Sequence, residues 1–215
     1  MEQLPLAPAF PLVSASSFTS EAIPEPRQQA AASANGRAIG VLFFAFFGAA
    51  WLSQALVRLG WWSGWTAAVL LAGTLALFVP AVIVMRQTAA LARSARPTAE
   101  TKRMGRVFLL VNVLQWTAIM AAANLLPYFH HADFVVPVIM FIVGLHMFPL
   151  AKLYRYPLHH LTGALLVGGA VGSVLLFAEP LRDTFACACA GVVIWGSSAA
   201  TLRLARQRAK QAAAS

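Results

Sequence analysis

His146 is the readily ionisable side chain that lies deepest within an apolar stretch of this sequence. Counting back from Lys152 at 1.5 Å per helical residue places it about 9 Å inside a lipid bilayer. Asn112 and Gln115 lie at a similar depth, counted inward from Arg106 on the preceding apolar stretch. Their i, i+3 spacing puts both on one helix face. We therefore expect Asn112, Gln115 and His146 to form a polar intramembrane cluster.

Two interpretations of this cluster are open. It is either a site in the cytoplasmic half of the membrane that binds a substrate, or a hydrogen-bonded clasp between two helices. Interhelical hydrogen bonds of this kind stabilise one measured membrane protein by about 0.6 kcal/mol each, without any chemistry. The residue types favour the clasp.

The acidic residues argue against an enzyme. Proton relays and cation sites in membranes depend on buried carboxylates, and general acid–base hydrolysis needs a positioned pair. Ser197 follows Gly196, but the segment is not a G-x-S-x-G elbow. The pattern indicates no catalytic residues and no cofactor. All seven carboxylates fall in tails, loops or span edges: Glu2, Glu21, Glu25, Glu100, Asp133, Glu179 and Asp183.

Two histidine pairs raise the question of a metal. His130 and His131 with Asp133 have the right donor types for zinc, but three donors within four residues rarely converge on one ion. His159 and His160 begin the fifth apolar stretch, where a lipid-headgroup contact or a solvated first turn is expected. The two pairs lie on opposite sides of the membrane, so the sequence predicts no metal site.

The elements that position these residues follow from hydropathy. Hydrophobic residues make up 60% of the 215 residues and charged residues 11%, whereas soluble domains carry about 25% charged residues. A helix needs about 20 apolar residues to cross the bilayer, and only helices satisfy their own backbone there. The sequence predicts an all-α polytopic transmembrane bundle of six helices. The predicted spans are 38–57, 66–86, 107–127, 134–152, 159–178 and 184–204.

The flanking segments complete the domain organisation. Residues 1–36 are rich in proline, alanine and serine, which predicts a largely disordered cytoplasmic tail, with a helix near Arg27–Arg37 as an alternative. The transmembrane domain covers 37–205, and 206–215 form a basic cytoplasmic tail.

The positions of lysine and arginine set the orientation. Fourteen of the 16 lie in the two tails and the second and fourth loops, and only Arg58 and Arg182 lie on the other side. The positive-inside rule then places both termini in the cytoplasm. Trp61, Trp62 and Trp65 suit the aromatic belt at the outer interface.

Proline and glycine suggest where helices bend or touch. Pro80 and Pro149 lie inside spans two and four and predict kinks, which are either functional hinges or ordinary transmembrane prolines. Gly168 and Gly172 have G-x-x-x-G spacing in span five. We expect them to pack against span six, with a homodimer seam as the alternative.

The second loop is strongly basic over 86–106. It is predicted to continue span two as a helix on the membrane surface and to attract anionic lipids, by about 1 kcal/mol per basic residue. The basic residues fall in short runs between apolar stretches, so we expect no nucleic-acid partner.

The segment from Gly144 to Tyr154 resembles a group of uncharacterised bacterial six-span integral membrane proteins. Those proteins have a G-x-H-x-x-P segment and a nearby aromatic residue at the end of the fourth span. The similarity is carried by Gly144, His146, Pro149, Leu153 and Tyr154. It implies a six-span membrane fold and draws attention to His146 without giving it a role.

For function, the sequence favours a small permease or exporter of a neutral or amphipathic solute. Six spans, kinking prolines and scattered amides without a large soluble domain fit this class. The alternative is a non-catalytic membrane subunit or sensor that acts through protein or lipid contacts.

Overall fold

A computed structural model of the protein describes residues 25–95 and 99–214. This part of the chain is all-α, and its six main helices are each long and apolar enough to cross a membrane, which confirms the predicted fold class. Most of the predicted N-terminal tail, residues 1–24, lies outside the described residues. The helices are α1 (Glu25–Arg58), α2 (Gly64–Ser94), α3 (Ala99–Tyr128), α4 (Val135–Leu153), α5 (Leu158–Leu176) and α6 (Leu181–Ala214), with a short 3₁₀ turn at Ala132–Phe134.

Four helices extend well past their predicted spans. α1 and α6 have 34 residues each, α2 has 31 and α3 has 30, so they measure roughly 45–51 Å at 1.5 Å per residue. A hydrocarbon core is only about 30 Å thick. Residues 25–36 are helical and not disordered, in agreement with the alternative prediction of a helix near Arg27–Arg37. The C-terminal tail is helical to Ala214.

Small side chains explain the extensions of α1 and α6. Ala31, Ala34 and Ala38 on α1 are fully buried, as is Ala205 on α6. Alanine has the highest helix propensity and lets two helix backbones approach closely. The helices therefore stay packed where the sequence is no longer apolar enough to be recognised as a span.

α1 and α6 run antiparallel along their whole length. At one end the Arg27 Nε donates to the Ala212 carbonyl at 3.0 Å. At the other end the Arg58 guanidinium pairs with Asp183 at 3.1 Å. The first end carries both ends of the described chain and their basic residues, and we call it the basic end. The second carries the α1–α2 turn with Trp61, and we call it the tryptophan end.

α4 and α5 form a second tight pair. A Cβ on Gly163 would lie 2.8 Å from the Gly144 carbonyl oxygen, and a Cβ on Gly144 would lie 2.9 Å from the Val167 backbone nitrogen. These two glycines therefore set the distance between α4 and α5. The core around this pair includes Met140 and Leu166, both fully buried.

Gly168 and Gly172 do not form the close contact between α5 and α6. No atom lies within 4 Å of the position that a Cβ would occupy at either residue. α5 approaches α6 instead at Gly169, where a Cβ would lie 2.6 Å from the Cys189 Sγ. Hydropathy and spacing identified the right helix, but the rotation of the helix turns a different glycine towards its neighbour.

α3 is attached differently from the other helices. It packs against α4, and none of its residues is buried. Pro80 and Pro149 lie inside the continuous helices α2 and α4, and their role as hinges stays a prediction.

Candidate functional site

His146 lies on α4 at its junction with α3. Only 9% of the residue is exposed, and its Nδ1 is buried without a hydrogen-bond partner among the described residues. On the α3 side, the imidazole lies close to the Val111 backbone. His146 is thus a polar side chain at the contact between the loosely packed helix and the rest of the bundle.

The other members of the predicted cluster lie nearby in the sequence of α3 but do not bond to His146. The Asn112 Nδ2 donates to the Phe108 carbonyl of its own helix at 2.9 Å. Gln115 is half-buried. The structure brings His146 against the backbone of α3, next to Asn112. Among the described residues, no hydrogen bond joins the His146 side chain to that of Asn112 or Gln115, which the predicted clasp requires. The functional role of the three residues stays a prediction.

His159 at the start of α5 belongs to the same region. Its Nδ1 is also buried without a partner among the described residues, and its ring packs edge-on against Tyr156 and Phe44, with centroids 4.8 and 6.0 Å away. It lies close enough to His146 and Arg37 to interact with both electrostatically. His159 is half-buried against Phe44 of α1, so its ring is packed rather than fully solvated, and the alternative of a lipid-headgroup contact stays a prediction.

Arg37 supplies a cation from α1. Its guanidinium lies over the Tyr156 ring, 5.5 Å from the centroid, and it bonds to the Ser33 hydroxyl one turn earlier. Its Nε is buried without a hydrogen-bond partner in the described part of the chain. A guanidinium above an aromatic face is a favourable cation–π arrangement, so Tyr156 holds Arg37 near the imidazoles.

The turn between α4 and α5 positions Tyr156. Arg155 adopts a left-handed conformation with φ 47°, and the Tyr156 N–H donates back to the Ala151 carbonyl at 2.9 Å. This is the pattern of a Schellman helix end. It turns the buried Tyr156 onto α6, where its hydroxyl lies 3.3 Å from the Thr201 hydroxyl.

Hydroxyl groups continue from Tyr156 between α5 and α6. The Thr201 hydroxyl donates to the Ser197 carbonyl at 2.8 Å, and the Thr162 and Ser197 hydroxyls are 2.9 Å apart. Buried hydroxyls that find partners in this way fix the two helices against each other. Beside these satisfied hydroxyls, the two imidazoles and the Arg37 guanidinium each keep a buried nitrogen without a partner among the described residues.

We call the set His146, His159, Tyr156, Arg37 and Phe44 the histidine cluster. Its two imidazoles can each donate and accept hydrogen bonds, and Arg37 adds positive charge. A metal ion is disfavoured there by the neighbouring guanidinium. Across residues 25–95 and 99–214, no three His, Cys, Asp or Glu side chains are arranged to hold a metal ion. The cluster suits a neutral or partly anionic solute that offers both donors and acceptors.

Sequence reasoning singled out His146 but missed the rest of the cluster. Arg37 was counted among the basic residues that flank span one and His159 was placed at the start of span five, because hydropathy treats basic residues near span ends as solvated. A signal was present in the three-residue spacing of Tyr156 and His159 across Pro157. It is too short to reveal that α1 continues over it.

Ion pairs at the tryptophan end were also missed. Arg182 pairs with Asp133 at 2.9 Å and lies 4.5 Å from the Phe134 ring centroid, and Arg58 pairs with Asp183. These are the two basic residues that depart from the charge pattern of the rest of the chain. Each is thus partly neutralised by a carboxylate. His130 and His131 are both exposed at this end.

Comparison with known proteins gave no match: no protein-family model, no curated protein and no solved structure matches this chain.

Proposed function

We propose that this protein is a multi-pass component of the bacterial inner membrane, with both termini in the cytoplasm, and that it is a small permease or exporter of a neutral or amphipathic solute. The histidine cluster is the proposed contact for the solute. The observation that carries this proposal is a pair of imidazoles, at His146 and His159, whose buried Nδ1 atoms have no partner in the described chain. Ionisable side chains within membrane helices are costly and commonly mark a transport pathway.

α3 supplies the moving part of this proposal. It packs against α4 without burying any of its own residues, so its displacement breaks few contacts. Because His146 faces the Val111 backbone, a displaced α3 would expose the imidazole. A solute that pairs with the Nδ1 atoms of His146 and His159 would then supply the hydrogen bonds that these atoms lack.

The orientation is supported by charge and by the shared location of the chain ends. Both Arg27 and Ala212 lie at the basic end, where most lysines and arginines of the sequence fall. The two exceptions, Arg58 and Arg182, are each paired with a carboxylate. This arrangement fits an N-in, C-in topology under the positive-inside rule. The similarity of 144–154 to six-span bacterial proteins is consistent with that placement.

The transport proposal is tested by efflux from cells that overproduce the protein. Cells are preloaded with each member of a panel of neutral amphipathic dyes, Nile red among them, and loss of fluorescence is followed. We expect faster efflux of at least one dye with the wild type, and its loss in His146→Phe and His159→Phe. His130→Phe, at an exposed histidine, is the matched control and keeps the activity. Efflux that is independent of the protein for every dye, or equal in all three variants, contradicts the proposal.

A non-catalytic subunit is the second candidate, favoured by the surface of α3. Three leucines on α3 are exposed: Leu109 by 64%, Leu110 by 59% and Leu114 by 60%. This face can receive a partner helix, and the open surface at Gly168 and Gly172 can receive a second copy of the chain. Isolation in a mild detergent distinguishes the candidates. A stoichiometric partner that is lost in Leu110→Trp supports the subunit, whereas a monomer with dye efflux supports the permease.

A further inference from the structure

A recess at the basic end lies between α1 and α2. Its volume is about 370 Å³, and it is lined by Asn35, Met85, Arg86, Ala89, Ala92 and Arg93. Arg86 and Arg93 are seven residues apart on α2, so they lie two helical turns, or about 10 Å, apart on one face. Ala89 and Ala92 are half-buried between them, and their small side chains leave the space open.

The two guanidiniums are exposed and uncompensated. Among the described residues, neither Arg86 nor Arg93 forms an ion pair, and the three ion pairs all lie at the tryptophan end. Asn35 adds an amide from α1 that can donate a hydrogen bond. Two cations and an amide around one open space are complementary to a phosphate.

The position of the recess relative to the membrane indicates where that phosphate comes from. Trp65 is 77% exposed at the other end of α2, as expected of an interfacial anchor. Arg86 follows Trp65 by 21 residues, which is about 32 Å of helix. Since the hydrocarbon core is about 30 Å thick, Arg86 lies at headgroup level. Below it, Met85 lines the recess and exposed apolar residues such as Ile83 continue along α2.

We propose that this recess is a binding site for the phosphate of an anionic phospholipid such as phosphatidylglycerol. Arg86 and Arg93 hold the phosphate from one helix, Asn35 donates from the other, and an acyl chain lies along α2 below Met85. The site ties α1 to α2 at the membrane surface. It is separate from the histidine cluster and does not depend on the transport proposal.

Native mass spectrometry of the full-length protein tests the site. The protein in detergent is titrated with phosphatidylglycerol and, in parallel, with phosphatidylcholine of the same acyl chains. We expect a saturable phosphatidylglycerol adduct that phosphatidylcholine does not form. In R86Q/R93Q its affinity falls about thirtyfold, the factor for two basic residues near a lipid surface.

Two further variants separate a site from diffuse attraction. R103Q/R106Q removes the same charge from α3, outside the recess, and keeps affinity within about threefold because it loses only screened, longer-range attraction. Ala89→Phe fills the recess without changing the charge, and it weakens binding. Equal losses in the two arginine pairs, or wild-type affinity in Ala89→Phe, would overturn the proposal. So would full displacement of the lipid by millimolar inorganic phosphate, which would make the ligand a free anion.

Discussion

Trp195 of α6 lies between two glycines of neighbouring helices. A Cβ on Gly73 of α2 would lie 2.5 Å from its ring, and a Cβ on Gly48 of α1 would lie closer still. The indole N–H donates to the Ala45 carbonyl at 3.0 Å. The Trp195 side chain thus sets the spacing of α1, α2 and α6. The indole fits between these helices only because neither Gly48 nor Gly73 has a Cβ.

We expect Gly73→Ala to lower the free energy of unfolding by about 1–3 kcal/mol, because overpacking forces the indole or the helix to move. Gly40→Ala is the matched control, since no atom lies within 4 Å of its Cβ position and alanine is the better helix former. Reversible unfolding in mixed micelles measures both. A Gly73→Ala variant as stable as the wild type would show that Trp195 does not fix this spacing.

The ion pair between Arg58 and Asp183 allows a second test at single residues. The Asp183 side chain is 9% exposed and that of Arg58 is 33% exposed. Removing one partner of a buried pair costs about 3–5 kcal/mol, and partial exposure reduces this, so we expect about 1–2 kcal/mol for Asp183→Asn. The exposed Glu179, 3.9 Å from Arg182, provides the control, and Glu179→Gln has little effect.

Charge reversal separates the ion pair from other effects of Asp183. Arg58→Asp combined with Asp183→Arg restores opposite charges, so the double variant should be more stable than the sum of the two single changes implies. Additive losses in the unfolding experiment would mean that the pair contributes nothing through its charges.

Among the helices, α3 is the one that the structure leaves least constrained. It packs against α4 and buries none of its residues, whereas α1 and α6 are joined at both ends by Arg27 and Asp183. Elements with few buried contacts open at low free energy. The transport proposal depends on this difference between α3 and the rest of the bundle.

Spin-label distances measure the mobility of α3. With Cys187 and Cys189 replaced by serine, labels are placed at the exposed Leu114 of α3 and the exposed Leu165 of α5. We expect a broader distance distribution than for the control pair, Leu165 with the exposed Phe46 of α1. Distributions of equal width in both pairs would remove α3 as the moving element.

Hydropathy was sufficient to predict every main helix but not where each one ends. Apolar runs identify the part of a helix that lipid surrounds, because lipid selects for apolar side chains. The extensions of α1 before residue 37 and of α6 after residue 205 are held by alanines such as Ala31 and Ala212, which are buried in the structure. Alanine in a polar sequence gives no membrane signal, so these segments were assigned to tails.

The face that each helix turns towards its neighbours could not be predicted from the sequence either. The glycine pair with the best spacing, Gly168 and Gly172, faces no neighbour, whereas Gly144 and Gly163 form the close crossing of α4 and α5. Several faces of α5 carry small residues, and only the packed bundle decides which one turns inward. For the same reason His146 was found from its depth, but His159 was not, because its burial depends on Phe44 of α1.

The whole molecule has one basic end and one tryptophan end. The basic end carries both ends of the described chain and the recess between α1 and α2, and the tryptophan end carries the paired arginines. We therefore expect alkaline phosphatase fused after Ser215 to be inactive in a bacterial host. Phosphatase inserted in the α1–α2 turn at Ser63 should be active. The opposite result at both positions would invert the proposed topology.

Access of water to position 146 is the most direct test of the proposed transport pathway. In a variant without Cys187 and Cys189, His146→Cys is treated with a membrane-impermeant thiol reagent in intact and opened cells. The account predicts labelling in opened cells, faster when α3 is loosened by Val111→Gly, since α3 covers this residue. A folded, inserted variant that stays unlabelled under all of these conditions would contradict the account and leave His146 as a structural residue.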